Sequence, residues 1–581
     1  MKHSCARLAL LMLLVSSWSL FGPEARAQWS TDPATNNAIC TDYYNQSEPK
    51  IVSDGKGGAI ISWNDTRSHH NGVFNDEVYV QRIGSNGTIL WSSNGIKATT
   101  ASVWTSSHWM CSDGNGGVFI SWHDVVDSNR LRVQHIDSSG TPMWDSSGVI
   151  VCSTTLSGQI LSKIAGDDNG GVIVAWGDTR SGGSNLEGVY AQRINSAGVA
   201  QWLANGVQIS DTTGFQGGSL QIAKDGSGGA IIVWEDQRSG SSVEIYAQRV
   251  DSYGATLWAD NGLQGIYVSG AGLSPQLIGE GGGAIVCWVD RRTGNSDWNI
   301  YAQKISAEGQ NQWISDGVPV CVKTSNQNTP QLASDQSGGA IITWNELGTG
   351  IPDPNIYAQR INAAGSAQWD STGVGVCTAA GGQGLPQITA DGNGGAVITW
   401  QDSRPSVTQD IYAQRIDANG APIWTNNGVA VSTATFVQSH PIVLNDGVGG
   451  MIIAWPDYRN DLGGQRNDIF AQRVDNSGSL GGVTDVVERG QLQPATLTLA
   501  QNYPNPFNPS TTIRYALPTK STVRLSVFNT LGQQVAHLVE GEQAAGYHEV
   551  QFDASVLPSG VYFYRLTAGS FVETRKLNSL K

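Results

Sequence analysis

The residues whose types could do chemistry, and which do not recur along the chain, gather in one stretch. His108, Trp109, Cys111, His123 and His135 lie close together in the sequence. Imidazoles and a thiol at this density are the raw material of a metal or ligand site. His123 and His135 fall on strand-like segments that are expected to adjoin. The candidate binding set is therefore His108, Trp109, His123 and His135. His69 and His70 sit in a polar loop and read as solvated. No CxxC pair occurs, so a zinc knuckle has no support. No residue set reads as catalytic, cofactor-binding or metal-ligating, and no cofactor is expected.

The other conspicuous polar residues recur. An acidic residue stands two positions after each of eight tryptophans, at Asp65, Asp124, Asp178, Asp236, Asp290, Glu346, Asp402 and Asp457. An arginine follows two further on in six of these places, as at Arg67 and Arg180. A glutamine recurs in a YAQR-type segment, as at Gln81 and Gln248. One active site needs one asymmetric set, so residues re-made in every unit read as architectural hydrogen bonds and ion pairs. The D-G-x-G-G segments carry one carboxylate each, where a calcium loop has several at alternate positions. They read as turns.

Trp63, Trp122, Trp176, Trp234, Trp288, Trp344, Trp400 and Trp455 recur at intervals of 54 to 59 residues. Each follows a Gly-Gly and an apolar run, as in DGKGGAIISWND at 54–65 and DGNGGAVITWQD at 391–402. A YAQRI-type segment and a second tryptophan follow, at Trp91, Trp144, Trp202, Trp258, Trp313, Trp369 and Trp424. Leu480 stands where the eighth would be. The missing member is at the other end, where Trp29 opens WSTDPATNNAIC. The array thus starts in mid-unit, and the offset predicts closure of the first segment onto the last unit. Each unit offers four short strands with period-2 alternation and positive-φ turn residues. Four strands per unit, repeated eight times, predict an all-β chain with an eight-unit β-propeller over residues 28–474.

Composition agrees. The 581 residues include 71 Gly and 20 Trp, and only 14% are charged. A net charge of −15 argues against nucleic acid or an anionic membrane surface as partner. The N-terminus reads as a signal peptide over 1–27. It has a basic start at Lys2, His3 and Arg7, an apolar run from Leu8 to Val15, and Ala25-Arg26-Ala27 before a cut between Ala27 and Gln28. No later apolar run is long enough for a membrane helix. Cys40, Cys111, Cys152, Cys287, Cys321 and Cys377 remain after that cut. Most share one repeat position, so they read as buried core residues and not as disulfides.

Residues 475–496 lack the repeat motifs and read as a linker. From Leu497 to the end, period-2 segments separated by Gly, Pro and Asn predict a small Ig-like β-sandwich. NYPNPFNPST at 502–511, NTLGQQV at 529–535 and LPSGVYFYRL at 557–566 carry a resemblance. On them, residues 497–581 closely resemble the type A C-terminal sorting domain of the type IX secretion system. The resemblance implies two-step export, with the translocon and a sortase-like peptidase as partners, and then release or attachment at the outer cell surface. It implies a bacterium of the Bacteroidetes–Chlorobi type. It does not reach residues 28–474. There, a binding, adhesion or scaffold module is expected, with a glycan or protein ligand on one face. The alternative is a polysaccharide hydrolase with its site in irregular loops.

Overall fold

The computed structural model describes residues 28–482 and 497–579, apart from short stretches at 69–75, 100–104, 125–126, 128–129, 155–157, 181–187, 211–215, 239, 241–242, 260–261, 265–271, 293–297, 349–352, 405–407, 462–465, 503–504, 506, 508, 545 and 570. The expected signal peptide, the residues 483–496 and the pair His69 and His70 lie outside the described residues. Every element described is a β-strand. The chain divides into two compact units between Gly482 and Val483.

The first unit holds eight four-stranded antiparallel sheets among its described residues. The first sheet runs, from its innermost strand outward, Gln46–Ser53, Ala59–Asp65, Glu77–Ile83 and Ile96–Lys97. Six further sheets repeat this order. In the eighth, Ile442–Asn445, Gly450–Asp457 and Asp468–Asp475 are completed by Asn37–Cys40 from the start of the chain. The innermost strand of each sheet contacts that of the next, and Gln46–Ser53 contacts Ile442–Asn445. The sheets therefore follow one another in a closed cycle. The offset read from Trp29 has its physical cause here, because the first strand fills the last sheet.

Both tryptophan positions have a structural task. Trp63, Trp122, Trp176, Trp234, Trp288, Trp344, Trp400 and Trp455 are fully buried inside the sheet stack. Six of them donate from Nε1 to the carboxylate two residues on, as Trp63 does to Asp65 at 2.7 Å. Arg67 pairs with the same Asp65 and lies over the Tyr79 ring, 3.8 Å from its centroid. The indole presses so closely on the chain that a Cβ at Gly95 would stand 2.5 Å from it, and φ there is +84°. Glycine is the residue that meets both conditions.

The outer tryptophans tie neighbouring sheets together. Trp91 donates from Nε1 to Ser138 O at 3.3 Å, Trp202 to Ser252 O at 3.0 Å and Trp424 to Asn476 O at 3.0 Å. Arg249, from the YAQR segment, joins Asp225 of the D-G-x-G-G turn, Nη2 to Oδ2 at 2.8 Å. It also donates to Ala307 O of the next sheet at 2.9 Å. Asp225 Oδ1 meanwhile accepts from the backbone N–H of Ser227 and Gly229. The carboxylate is saturated as a turn and an ion pair, as the single carboxylate predicts.

The expected boundary after Val474 falls later. Asp475–Gly482 belongs to the first unit. Leu480 packs in the cluster of Trp424 and Trp455, and Arg473 donates to Gly481 O and Gly482 O. Here the chain's own tail supplies to Arg473 the carbonyls that the next sheet supplies to Arg249.

The second unit has seven strands in two antiparallel sheets. One comprises Thr498–Leu499, Ser510–Leu517 and Gly546–Asp553. The other comprises Gln534–Gln543, Ser521–Asn529, Gly560–Ala568 and Phe571–Ser579. Both contribute to one core around Ile513, Leu525, Tyr564 and Leu577. Tyr564 Oη accepts from Asn502 N and donates to Ala500 O, which ties the chain at Ala500 and Asn502 to the core.

Candidate functional site

The four side chains singled out in the second unit of the repeat do not converge. His108 is buried and reaches back to the first sheet, with Nδ1 2.8 Å from Asn64 Oδ1 and Nε2 2.8 Å from Ser62 Oγ. His123 is buried and reaches forward to the third sheet, with Nε2 3.0 Å from Ser162 Oγ. His135 occupies the place of the YAQR arginine and binds Asp113 at 2.9 Å. His123 and His135 do lie on adjoining strands, but His123 pairs with Leu131 and His135 with Phe119. That separates the two by four strand positions, roughly 13 Å. Among the described residues, no group of three potential metal ligands is formed. Burial holds both inner histidines neutral, His123 at about 4 and His108 well below its usual value.

Trp109 leads to a different site. The eight innermost strands are equivalent by register, since each places one residue opposite the position preceding the buried tryptophan. These residues are Lys50, Trp109, Lys163, Gln221, Gln276, Gln331, Gln387 and Ile442. Four successive sheets thus carry glutamine, while the first three carry Lys-Trp-Lys. All eight are half-buried. The eight strands are in cyclic contact, and these residues stand at one level of the ring they form.

The backbone that aims these side chains is unusual. Just before this level the ladder shifts register, and Glu48, Leu161, Ser219, Ser274, Thr329, Leu385 and His440 adopt φ between +44° and +55°. A left-handed residue of this kind costs about 1 kcal/mol or more. The recurrent bulge bends each strand and turns the following side chain away from the regular ladder.

Within the ring, Lys163 Nζ lies 3.0 Å from the Trp109 ring centroid and Lys50 Nζ lies 4.9 Å from it. Lys50 donates to Glu48 O at 3.4 Å. Among the described residues, neither ammonium has a carboxylate partner. Burial lowers the Lys50 pKa. Burial, and then repulsion from Lys50, bring Lys163 down to about 7. A cavity of about 430 Å³ opens beside the ring, lined by Lys50, Gln387 and Ile442 together with Glu48, His440 and Tyr458. Glu48 is the one carboxylate among its lining residues. The lysines were missed by sequence reading. The signal was present as a Gln-to-Lys change at one repeat position, inside the segment of the unit that varies most.

Comparison with known proteins bears on the second unit. Residues 501–578 match the family model of the secretion system C-terminal sorting domain. This domain marks the chain for export to the extracellular space or the outer cell surface, and implies contact with the secretion machinery. No helix among the described residues is long and apolar enough to cross a membrane. No relative was found among the curated proteins.

Several solved structures are similar at low identity. A protein of unknown function from Dyadobacter fermentans is 9% identical, with 77% of this chain and 98% of that chain covered and a TM-score of 0.36. A PL25 ulvan lyase, a polysaccharide lyase, is 10% identical over 64% of this chain and 92% of that chain, with a TM-score of 0.38. The α-L-arabinanase of Penicillium chrysogenum is 10% identical over 65% and 94%, with a TM-score of 0.31.

Proposed function

We propose that residues 28–482 form an eight-bladed β-propeller that binds a ligand at its central opening on the cell surface. The appended unit, 497–579, is then an Ig-like sandwich that serves as the type IX sorting signal, joined by residues 483–496. Residues 1–27 serve as the signal peptide. A cut between Ala27 and Gln28 would leave Trp29 in place to complete the eighth sheet.

One contrast carries the reading of a binding module. The residues repeated in every unit are engaged in bonds within and between sheets, as Asp65, Gln81 and Arg249 are. The residues that break the repeat at one level of the inner ring, Lys50, Trp109 and Lys163, meet one another and form no ion pair among the described residues. The cavity beside them has one lining carboxylate, Glu48. Acid–base hydrolysis of a glycoside uses two. The test applies the exported, full mature chain to an array of glycans and cell-surface proteins, and separately to the same polysaccharides as substrates. Saturable binding without shortening of the polymer is expected. Depolymerisation of any of them overturns the reading in favour of a hydrolase.

A further inference from the structure

We propose that the Lys50–Trp109–Lys163 step of the inner ring receives the anionic group of an acidic saccharide, a uronate carboxylate or a sulfate ester. This deepens the binding reading above and rests on it.

The argument begins with charge. The chain carries 49 Asp and Glu against 34 Lys and Arg. Carboxylates are in excess, and the arginines of the sheets almost all have one. Arg82 has Asp54, Arg193 has Asp167 and Arg415 has Asp391. Lys50 and Lys163 have none among the described residues, although both are substantially buried. Glu48 acts on Lys50 at longer range without forming an ion pair, and two amines buried at one level repel each other in the empty ring. An oxyanion between them restores the missing partner, and charge-assisted N–H···O bonds are the strong ones.

The geometry fits one group held between two amines. Lys163 lies against the Trp109 indole, and Lys50 approaches the same ring from the sheet on the other side. Both ammonium heads thus meet at one indole, at one level of the ring. The remainder of that level is made of the Gln221, Gln276, Gln331 and Gln387 side chains and one apolar residue, Ile442. Amides both donate and accept, which suits hydroxyl groups. Oxyanion on one side and hydroxyls on the other describe an acidic sugar. The cavity is lined by one residue of each kind, Lys50 and Gln387.

The experiment measures binding of three probes to the full mature chain: trigalacturonate, galactotriose, and a sulfated galactan oligosaccharide of similar length. At least one acidic probe is expected to bind about tenfold or more tightly than galactotriose, the effect of one well-placed ionic contact. The carboxylate and sulfate arms distinguish the two sources of the anion. Lys50→Gln and Lys163→Gln place at these positions the residue that four other strands carry there, so the fold tolerates the type. Each is expected to weaken the acidic probe about tenfold and to leave galactotriose unchanged. Lys163→Arg, which keeps the charge, is expected to retain most of the affinity. Equal binding of acidic and neutral probes, no binding of either acidic probe, or unchanged affinity in both Gln variants overturns the proposal. If the array finds another ligand while the acidic probes fail, this inference falls and the binding reading stands.

Discussion

The indole of Trp29 donates to the carbonyl of Ser85 at 2.8 Å. It is the same bond that Trp91 makes to Ser138 and Trp424 to Asn476, made here between the eighth sheet and the first. Trp29 is 1% exposed and packs with Ile39, Trp63 and Ile469. Trp29→Ala is expected to destabilise the first unit by about 3–5 kcal/mol, mostly through the cavity it leaves. Trp29→Phe keeps most of the burial and loses about 1 kcal/mol with the hydrogen bond. Thermal unfolding of the two variants checks the order. If the alanine variant melts with the parent, the closure does not stabilise the unit.

Arg249 and Asp225 give a second prediction. Asp225 is buried, and both charged Arg249 contacts fall on its Oδ2. Arg249→Met strands a buried carboxylate and is expected to cost about 3 kcal/mol. Adding Asp225→Asn removes the stranded charge, so the double variant should be more stable than the single one. Denaturant midpoints of the three proteins test this. A double variant less stable than Arg249→Met would show that the carboxylate's turn bonds outweigh its charge.

The buried histidines make the unit sensitive to acid. His123, held near 4, must gain a proton on unfolding once the pH falls below its ordinary value near 6.5. Its stabilising contribution is complete above pH 6.5 and is lost as the pH falls through about 4. Full burial makes the change about 3 kcal/mol. Asp410 acts in the opposite sense. Burial, and then the Asp402 carboxylate, push it up to about 6. Stability therefore falls as the pH rises from about 4 to 6, and Asp410→Asn should abolish that slope. Unfolding curves between pH 4 and 8 for the parent, His123→Gln and Asp410→Asn check both signs.

The six cysteines among the described residues are free, and all but Cys111 are buried. Burial pushes the Cys40 thiol up to about 12, so little thiolate exists at neutral pH. An alkylating reagent is expected to modify none of the buried five before unfolding, and a reductant should leave the melting temperature unchanged. Loss of stability on reduction would reveal a disulfide that contradicts this arrangement.

Repetition decided what was legible in the sequence. Tryptophan and Gly-Gly spacing exposed the strands, the units and the offset start, because each of those residues is demanded by a local contact. Gly95 under Trp63 is such a case. The end of the array was read too early because Leu480 replaces a tryptophan, and only packing reveals that it still serves. The histidines attracted notice through rarity, yet His135 replaces an arginine and keeps its aspartate, while His108 and His123 link neighbouring sheets. Lys50 and Lys163 escaped notice because their meaning depends on three separate strands meeting at one level. That meeting is set by bulges which leave no residue signature, since Glu, Leu, Ser, Thr and His all occupy the left-handed position.

The pairing of Asn37–Cys40 with Asp468–Asp475 also sets an order of events. The eighth sheet needs both ends of the array, so it cannot form before the chain has been made as far as Asp475. Its assembly is a late, long-range step of the kind that slows folding. Until then, the outer edge of Asp468–Asp475 in the eighth sheet stays available to other chains. The first unit is thereby kept open until its last strand has joined its first.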